Sequence, residues 1–498
     1  METSSAPALT GNEDTRLAVG NALKLSGSLG AGWIVALAVR LVLPRALGPE
    51  RFGALSFADL FTATSFALLQ LGVDTYARTA VAVRPERARE FVGGVLTLRA
   101  LLALALTAAL HFVLAAAHRP VELQRLVLVL CAAQLLASVN GTLAALLHAR
   151  GRIDGLAWAT FGAKAIWGAG VLAALAAGGN LLALGAAMLA SESVKTAALY
   201  LLARRELSLR FQINLRATWA ALLASLPFFL NGAAHTIYGR LDVSMLDFLA
   251  GNQEVGFYGA ASTLGQITAM ATPLIGWVLV PLFSRAADRS PEELASTLRR
   301  SVELCLSIAL PTSLALVLGA DLWVRLLFGA AFAPAAMAVR VLAPLFVLTY
   351  VAVAVSSALL AEGRGWAVTA VSVGGLVINP LLNLALIPLA RSLLARDGAG
   401  GVGCALAMVG TETAVTSALL TIARPARAFD RRSLVALAKM LLACAAAAAL
   451  DALLPLPLPA RLLAAGALYF ALVLAWGAIR PRELAAMGAA LRAARPPG

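Results

Sequence analysis

The chain has 498 residues, 60% of them hydrophobic and 13% charged, with a formal net charge of +14. That balance excludes a soluble globular protein. One membrane span needs about 20 apolar residues, about 14 such runs follow one another, and no gap between them could hold a soluble domain of even ~50 residues. The runs are too long for barrel strands, so their backbone polar groups must be satisfied within helices. The fold class expected is an all-α polytopic membrane protein.

Taken in order, the polar stretch Met1 to Thr15 lacks the pattern of a removable signal peptide. Span 1 runs roughly from Leu23 to Leu43 and carries Arg40. A tight turn, Leu47-Gly48-Pro49-Glu50-Arg51-Phe52-Gly53, leads into span 2, which holds Asp59 and leaves through Asp74 and Arg78. Span 3 (Phe91 to Ala115) has Arg99 about two turns from its start. Span 4 (Leu123 to Leu147) contains Gln134 and Asn140. Span 5 (Leu156 to Ala177) has Lys164 near its middle, and span 6 (Leu181 to Leu202) holds Glu192.

The second half restates this order. Span 7, from Trp219 to about Leu249, carries Pro227, Asn231, His235, Arg240 and Asp242. The turn Gly251 to Gly256 matches Gly48 to Gly53 in length and in both glycines. Span 8 exits at Pro281 to Arg285, which places Arg285 where Arg78 stood. Leu298-Arg299 echoes Leu98-Arg99, and Glu362-Gly363-Arg364 echoes Arg150-Gly151-Arg152. Span 11 contains Asn379-Pro380 and span 12 holds Glu412. The two glutamates sit in one pattern: Met188, Ser191, Glu192, Ser193 and Thr196 match Met408, Thr411, Glu412, Thr413 and Thr416.

Matches in sequence order at roughly 200–220 residues indicate a six-span duplication. Six is even, so both copies enter the membrane from the same side as parallel repeats. The expected architecture is two six-helix bundles, spans 1–6 and 7–12, plus two C-terminal helices near Leu434 to Leu450 and Leu462 to Ile479. In residues this gives a tail 1–16, a bundle 17–205, a linker 206–216, a bundle 217–423, two further helices within 424–480 and a tail 481–498. Longer breaks are expected near Asp321 to Pro334 and Arg391 to Gly400.

Arginine clusters fall in alternate loops, at Arg78 to Arg89, Arg204 to Arg216, Arg285 to Arg300 and Arg424 to Arg432. By the positive-inside rule these loops and both termini are cytoplasmic. The clusters lack a folded domain to present them, which argues against nucleic acid as a partner. Cys131, Cys305, Cys404 and Cys444 have neither metal-ligand nor redox-pair spacing. Neither a metal nor a cofactor is expected.

Together the Gly48 to Gly53 turn, the Arg78 exit, the Gly-Arg turns, the segment from Arg240-Leu241-Asp242 to Gly256-Phe257-Tyr258-Gly259-Ala260-Ala261 and the Pro281 to Arg285 exit resemble the bacterial polysaccharide-transport flippases. These include the O-antigen and exopolysaccharide repeat-unit flippases, of the multidrug/oligosaccharidyl-lipid/polysaccharide exporter superfamily. The resemblance covers about Leu17 to Ile479. It implies alternating-access movement of an undecaprenyl-diphosphate-linked oligosaccharide across the bacterial inner membrane, for cell-surface polysaccharide biosynthesis. Implied partners are that lipid-linked sugar, membrane lipids, a proton or Na+ as coupling ion, and a polysaccharide polymerase complex. A multidrug/cation antiporter and a lipid II flippase of the same superfamily stay open. So does a membrane-embedded glycosyltransferase or polymerase, although the first outer loop offers Glu50 as its sole acid.

An ionisable group inside a span is costly and marks a functional candidate. Lys164, Arg240, Arg99, Arg40, Asp59 and Asn231 are candidates for lining a substrate cavity. Guanidinium forks suit a diphosphate. Glu192, Glu412, Asp242 and His235 are candidates for coupling. Each has a structural alternative: glutamates and histidine as polar links between helices, terminal arginines as snorkelling groups. For Glu192, Lys195 lies three residues on, on the same helix face. Pro227, Pro281 and Pro380 interrupt helical hydrogen bonding and offer bends.

Overall fold

A computed structural model describes residues 11–70, 74, 91–149, 153–207, 216, 218–220, 222, 223, 225, 240–269, 272–424 and 429–477. Asn231, His235 and Pro227 lie outside them, as do Arg78 and residues 208–215 of the expected linker. The described residues are almost all helical and include no strand. Ten of their helices are long and apolar enough to cross a membrane.

The first helix, α1 (Gly11–Phe66), covers expected spans 1 and 2. It is two helices joined at Gly48, whose φ of 73° and ψ of 172° are not helical. A side chain at that φ would be strained, so glycine is the residue that makes this corner. Pro49 follows as the first residue of the second segment, where the missing N–H costs nothing. Then come α2 (Leu96–Ala116), α3 (Val121–Ala149), α4 (Ile153–Ala176) and α5 (Leu181–Leu207), matching expected spans 3 to 6.

In the second half, α6 (Leu241–Ala250) is the described end of span 7. Gly251, with φ 92° and ψ 172°, repeats the Gly48 corner into α7 (Asn252–Ala269), followed by α8 (Thr272–Arg289). Next are α9 (Pro291–Phe328), α10 (Ala335–Leu342), α11 (Leu345–Ala361), α12 (Gly365–Leu394) and α13 (Ala399–Ala423). Helices α14 (Arg431–Leu453) and α15 (Leu458–Ala475) are the two without a counterpart.

The expected breaks are shorter than the charge pattern suggested. Helix α9 continues through Asp321 to Phe328, and α12 runs to Leu394. Asp321 forms an ion pair with Arg340, which offsets its charge at the helix end. Helix α9 starts on a Ser290 cap whose Oγ accepts from the Glu293 amide at 3.1 Å, with Pro291 in the first turn. Helix α12 stays helical through Pro380; Asn383 turns its side-chain amide onto the Asn379 carbonyl at 3.0 Å.

The chain forms two compact units. One takes residues up to Arg40, Ser65 to Phe229 and the last few residues; the other takes Leu41–Thr64 and Leu230–Arg492. In the first, α5 packs on α3 and α4, and a core of Val95, Leu143, Leu146, Leu156 and Leu199 closes one end. In the second, α12 pairs with α13, and α9 packs on α11 and on the α14–α15 hairpin. The elbow of α1, residues 41–64, belongs to this second unit, with Phe57 and Phe61 stacked at 5.0 Å and Phe248 edge-on to Phe57 at 5.8 Å.

Candidate functional site

Lys164 lies mid-helix on α4 with its side chain exposed, on the face turned to α1, where a Cβ added at Gly32 would lie 3.7 Å from its Cγ. Its Nζ stands 5.1 Å from the Trp167 ring centroid, one turn further along. An ammonium at mid-membrane depth is costly against lipid, and an indole face partly replaces its hydration. Arg40 on α1 is also exposed, and Asp59 is half-buried.

Arg99 is placed differently. It is fully buried, and its Nη1 donates to the Ser138 carbonyl at 2.9 Å and to Thr142 Oγ1, and lies 3.1 Å from Asp74 Oδ1. Thr142 donates in turn to Asp74 at 2.9 Å. Gly141 makes room for this carboxylate, since a Cβ there would come within 2.7 Å of Asp74 Oδ2. The guanidinium expected at a substrate mouth is thus engaged inside its own unit, tying α2 to α3.

The two glutamate motifs occupy matching helices in matching register. Ser191 donates to the Ala163 carbonyl on α4 at 2.7 Å, and Thr411 receives the Asn379 amide of α12 at 3.3 Å. Ser193 and Thr413 both bond back four residues, to Leu189 and Val409, each at 2.7 Å. Glu192 is half-buried and accepts from Asn140 Nδ2 of α3 at 2.8 Å. Among the described residues it is Asn140, rather than Lys195, that meets the Glu192 carboxylate. Glu412 is buried at 8% exposure, and Thr416 reaches the Leu348 carbonyl of α11 at 3.4 Å.

Arg240 and Asp242 point apart, as their spacing suggested. Arg240 is exposed at the start of α6. Asp242 is buried, with Oδ1 accepting from the Val243 amide at 2.8 Å and Oδ2 from the Tyr258 hydroxyl at 2.5 Å. Nearby, Asn379 and Asn383 of α12 are fully buried and hydrogen-bonded to each other at 2.9 Å. Among the described residues no group of His, Cys, Asp and Glu is arranged to hold a metal ion.

Sequence reasoning did not assign roles to Asn140, Asp74, Trp167, Tyr258 or Glu254. Asn140 is a polar residue inside an apolar run, the same signal that singled out Glu192. Asp74 lies 25 positions before Arg99 in the chain, and no local spacing joins them. Glu254 accepts from two amides at the start of α13, Gly398 N at 2.7 Å and Gly401 N at 2.9 Å.

Buried carboxylates, a mid-helix lysine and ten helices long and apolar enough to cross a membrane define, among the described residues, an all-helical polytopic membrane protein. The sequence model of the polysaccharide biosynthesis protein family matches residues 18–287, and the chain belongs to that family. Its fold is similar to that of a lipid II flippase, MurJ, in an inward closed conformation: TM-score 0.73 at 13% identity, over 92% of this chain and 99% of that one. It is also similar to an inward-facing multidrug-resistance MATE transporter of the MOP superfamily (0.58, 16%, 78% and 98%). A Vibrio cholerae MATE transporter matches at 0.56 and 14%, over 84% and 98%. Among functionally curated proteins none matches this sequence.

Proposed function

We propose that this protein is a flippase that carries an undecaprenyl-diphosphate-linked oligosaccharide repeat unit across the bacterial inner membrane by alternating access, for cell-surface polysaccharide synthesis. Membership of the polysaccharide biosynthesis family supports the pathway. The observation that carries the substrate class is Lys164, an exposed ammonium in the middle of a membrane helix beside α1. A diphosphate headgroup needs such a cation when it leaves water. Arg240, exposed at the start of α6, is the second cation proposed for it, with Arg40 and Asp59 as further candidates. Glu192, Glu412 and Asp242 are the carboxylates proposed to exchange the coupling ion.

The test uses a strain that depends on this gene and reads lipid-linked repeat units retained on the inner leaflet. Lys164→Ala and Arg240→Ala should each abolish export at unchanged protein abundance. Lys164→Arg should restore part of it, whereas Arg240→Lys should restore less, because an ammonium cannot reproduce the guanidinium fork. Wild-type export in both alanine variants would remove these two residues from the headgroup site. The MATE-like fold favours a second reading, antiport of hydrophobic cations. Transport of such cations but of no lipid-linked sugar by reconstituted vesicles would select it.

A further inference from the structure

Three arginines gather at the end of α9, within the second unit. The helix ends at Phe328, and Arg325 lies in its last turn with its side chain exposed. Arg45, from the stretch of α1 that belongs to the same unit, donates to the Leu326 carbonyl. Arg340 of α10 pairs with Asp321, one turn before Arg325 on the same face of α9. The cluster holds three guanidinium groups and one carboxylate. The charge pattern puts this end of α9 on the outer side of the membrane, where Lys and Arg are ordinarily scarce. Helix-end chemistry accounts for Arg45, which satisfies a terminal carbonyl, and ion pairing accounts for Arg340. Neither accounts for Arg325, whose side chain has no hydrogen bond or ion pair among the described residues.

The surroundings are those of a membrane boundary. Leu326, beside Arg325, is 55% exposed, and Val42, one turn from Arg45, is 40% exposed. Trp323 is half-buried, with its indole N–H turned back to the Ala315 carbonyl, a residue type enriched at the interface. Cations flanked by bare apolar side chains suit an amphiphile, an anionic head on a hydrocarbon tail, better than a free anion. We infer that the end of α9 is a docking site for the diphosphate head of a polyprenyl lipid in the outer leaflet. Arg325 is its principal contact, with Arg45 and Arg340 beside it. The inference rests on the flippase reading above and adds a station on the product side of the crossing. A guanidinium fork takes two phosphate oxygens at once, and a diphosphate is more highly charged than the phosphodiesters of bulk lipid.

A fluorescence titration at the helix end tests it. In a background with Cys131, Cys305, Cys404 and Cys444 replaced by alanine, Ala330→Cys, exposed just past α9, carries an environment-sensitive label. The full chain sits in phosphatidylcholine nanodiscs. Undecaprenyl diphosphate should give a saturable response, and undecaprenol or phosphatidylglycerol at the same mole fraction should give little. Arg325→Gln should raise the half-saturation point roughly fivefold, the effect of one cation near an anionic surface. Arg325→Glu should raise it further, and Arg325→Lys should recover part of the loss. Arg325 holds nothing else among the described residues, so these variants should melt like the parent. Lys164→Ala, placed in the crossing, should leave the titration unchanged while abolishing export. In spheroplasts an impermeant maleimide should label Ala330→Cys; protection from it would overturn the outer placement. An equal response to phosphatidylglycerol or undecaprenol, or a titration indifferent to Arg325→Glu, would overturn the diphosphate site. So would a response lost with Lys164→Ala, which would belong to the transport route. If the protein exports no lipid-linked sugar while the Arg325-dependent titration holds, the flippase reading fails and the site stands. Normal export without that titration removes the site alone.

Discussion

Removing Asp74 should destabilise the protein, and removing Arg99 with it should undo much of the loss. Arg99 has 0% side-chain exposure and Asp74 22%. Asp74→Ala takes the carboxylate partner from a guanidinium in the interior and leaves it the Ser138 carbonyl and Thr142 Oγ1 among its acceptors. Breaking a buried ion pair on one side costs about 3–5 kcal/mol. The lower end applies here, because two neutral acceptors remain and Asp74 is partly solvated. Arg99→Met should cost a comparable amount, through the hydrogen bonds lost at the α2–α3 contact and the cation removed from beside the Asp74 carboxylate. In the combined variant Arg99→Met with Asp74→Ala no uncompensated charge remains, so the two losses should fall short of adding by about 1–3 kcal/mol. The assay is a double-mutant cycle on thermal unfolding in detergent, with export measured in parallel. Strict additivity would refute the ion-pair argument. Export that fails in the stabilised double variant, at normal abundance, would show that Arg99 also acts on substrate.

Two further outcomes follow from helix starts. Glu254→Ala should deprotect the amides of residues 398–401 to hydrogen exchange and lower thermal stability, since hydrogen bonds to a charged acceptor contribute about 1.5–3 kcal/mol. Glu254→Gln keeps one carbonyl acceptor and should do less; equal protection in wild type and both variants would refute the capping role. At α14, the Ser433 backbone amide and then its hydroxyl hold the Asp430 carboxyl below the usual carboxylate range, with Arg299 at 3.7 Å adding a smaller effect. A depressed folded-state value means that its contribution is present above the usual carboxylate range and lost as pH falls through the depressed value. Acid should therefore fray the start of α14, read as hydrogen exchange at Ser433, and Asp430→Asn should flatten that pH dependence.

The fold was legible because its signals are repetitive. Apolar runs, glycine corners and the paired glutamate motif each state themselves twice. What was misread came from charge taken locally: Asp321 looked like the start of a loop, yet Arg340, 19 residues on, lets the helix continue. The same limit hid the Arg99 network. An arginine near a span end reads as a snorkelling or ligand-binding group until Asp74 is brought beside it by packing. Lys164 was legible as a mid-span charge, but not the Trp167 ring that accompanies it. The separation of Arg240 from Asp242 was visible in their spacing; the Tyr258 hydroxyl that meets Asp242 was not, because a tyrosine one helix away leaves no pattern in the chain.

The α14–α15 hairpin is fastened to α9 at both ends. Asp430 lies 3.7 Å from Arg299, and the Ser433 hydroxyl donates to Glu303 at 2.6 Å. At the far end Trp323 folds back over Gly319, close to Leu462, with its indole donating to the Ala315 carbonyl at 3.0 Å. The hairpin thus meets α9 near both ends, by polar contacts at Asp430 and Ser433 and by Leu462 against Gly319. The exposed turn at Leu456 is therefore a natural mounting point for a fluorophore or a binding scaffold. A label mounted there should follow α9 if the hairpin travels with the helix it packs on.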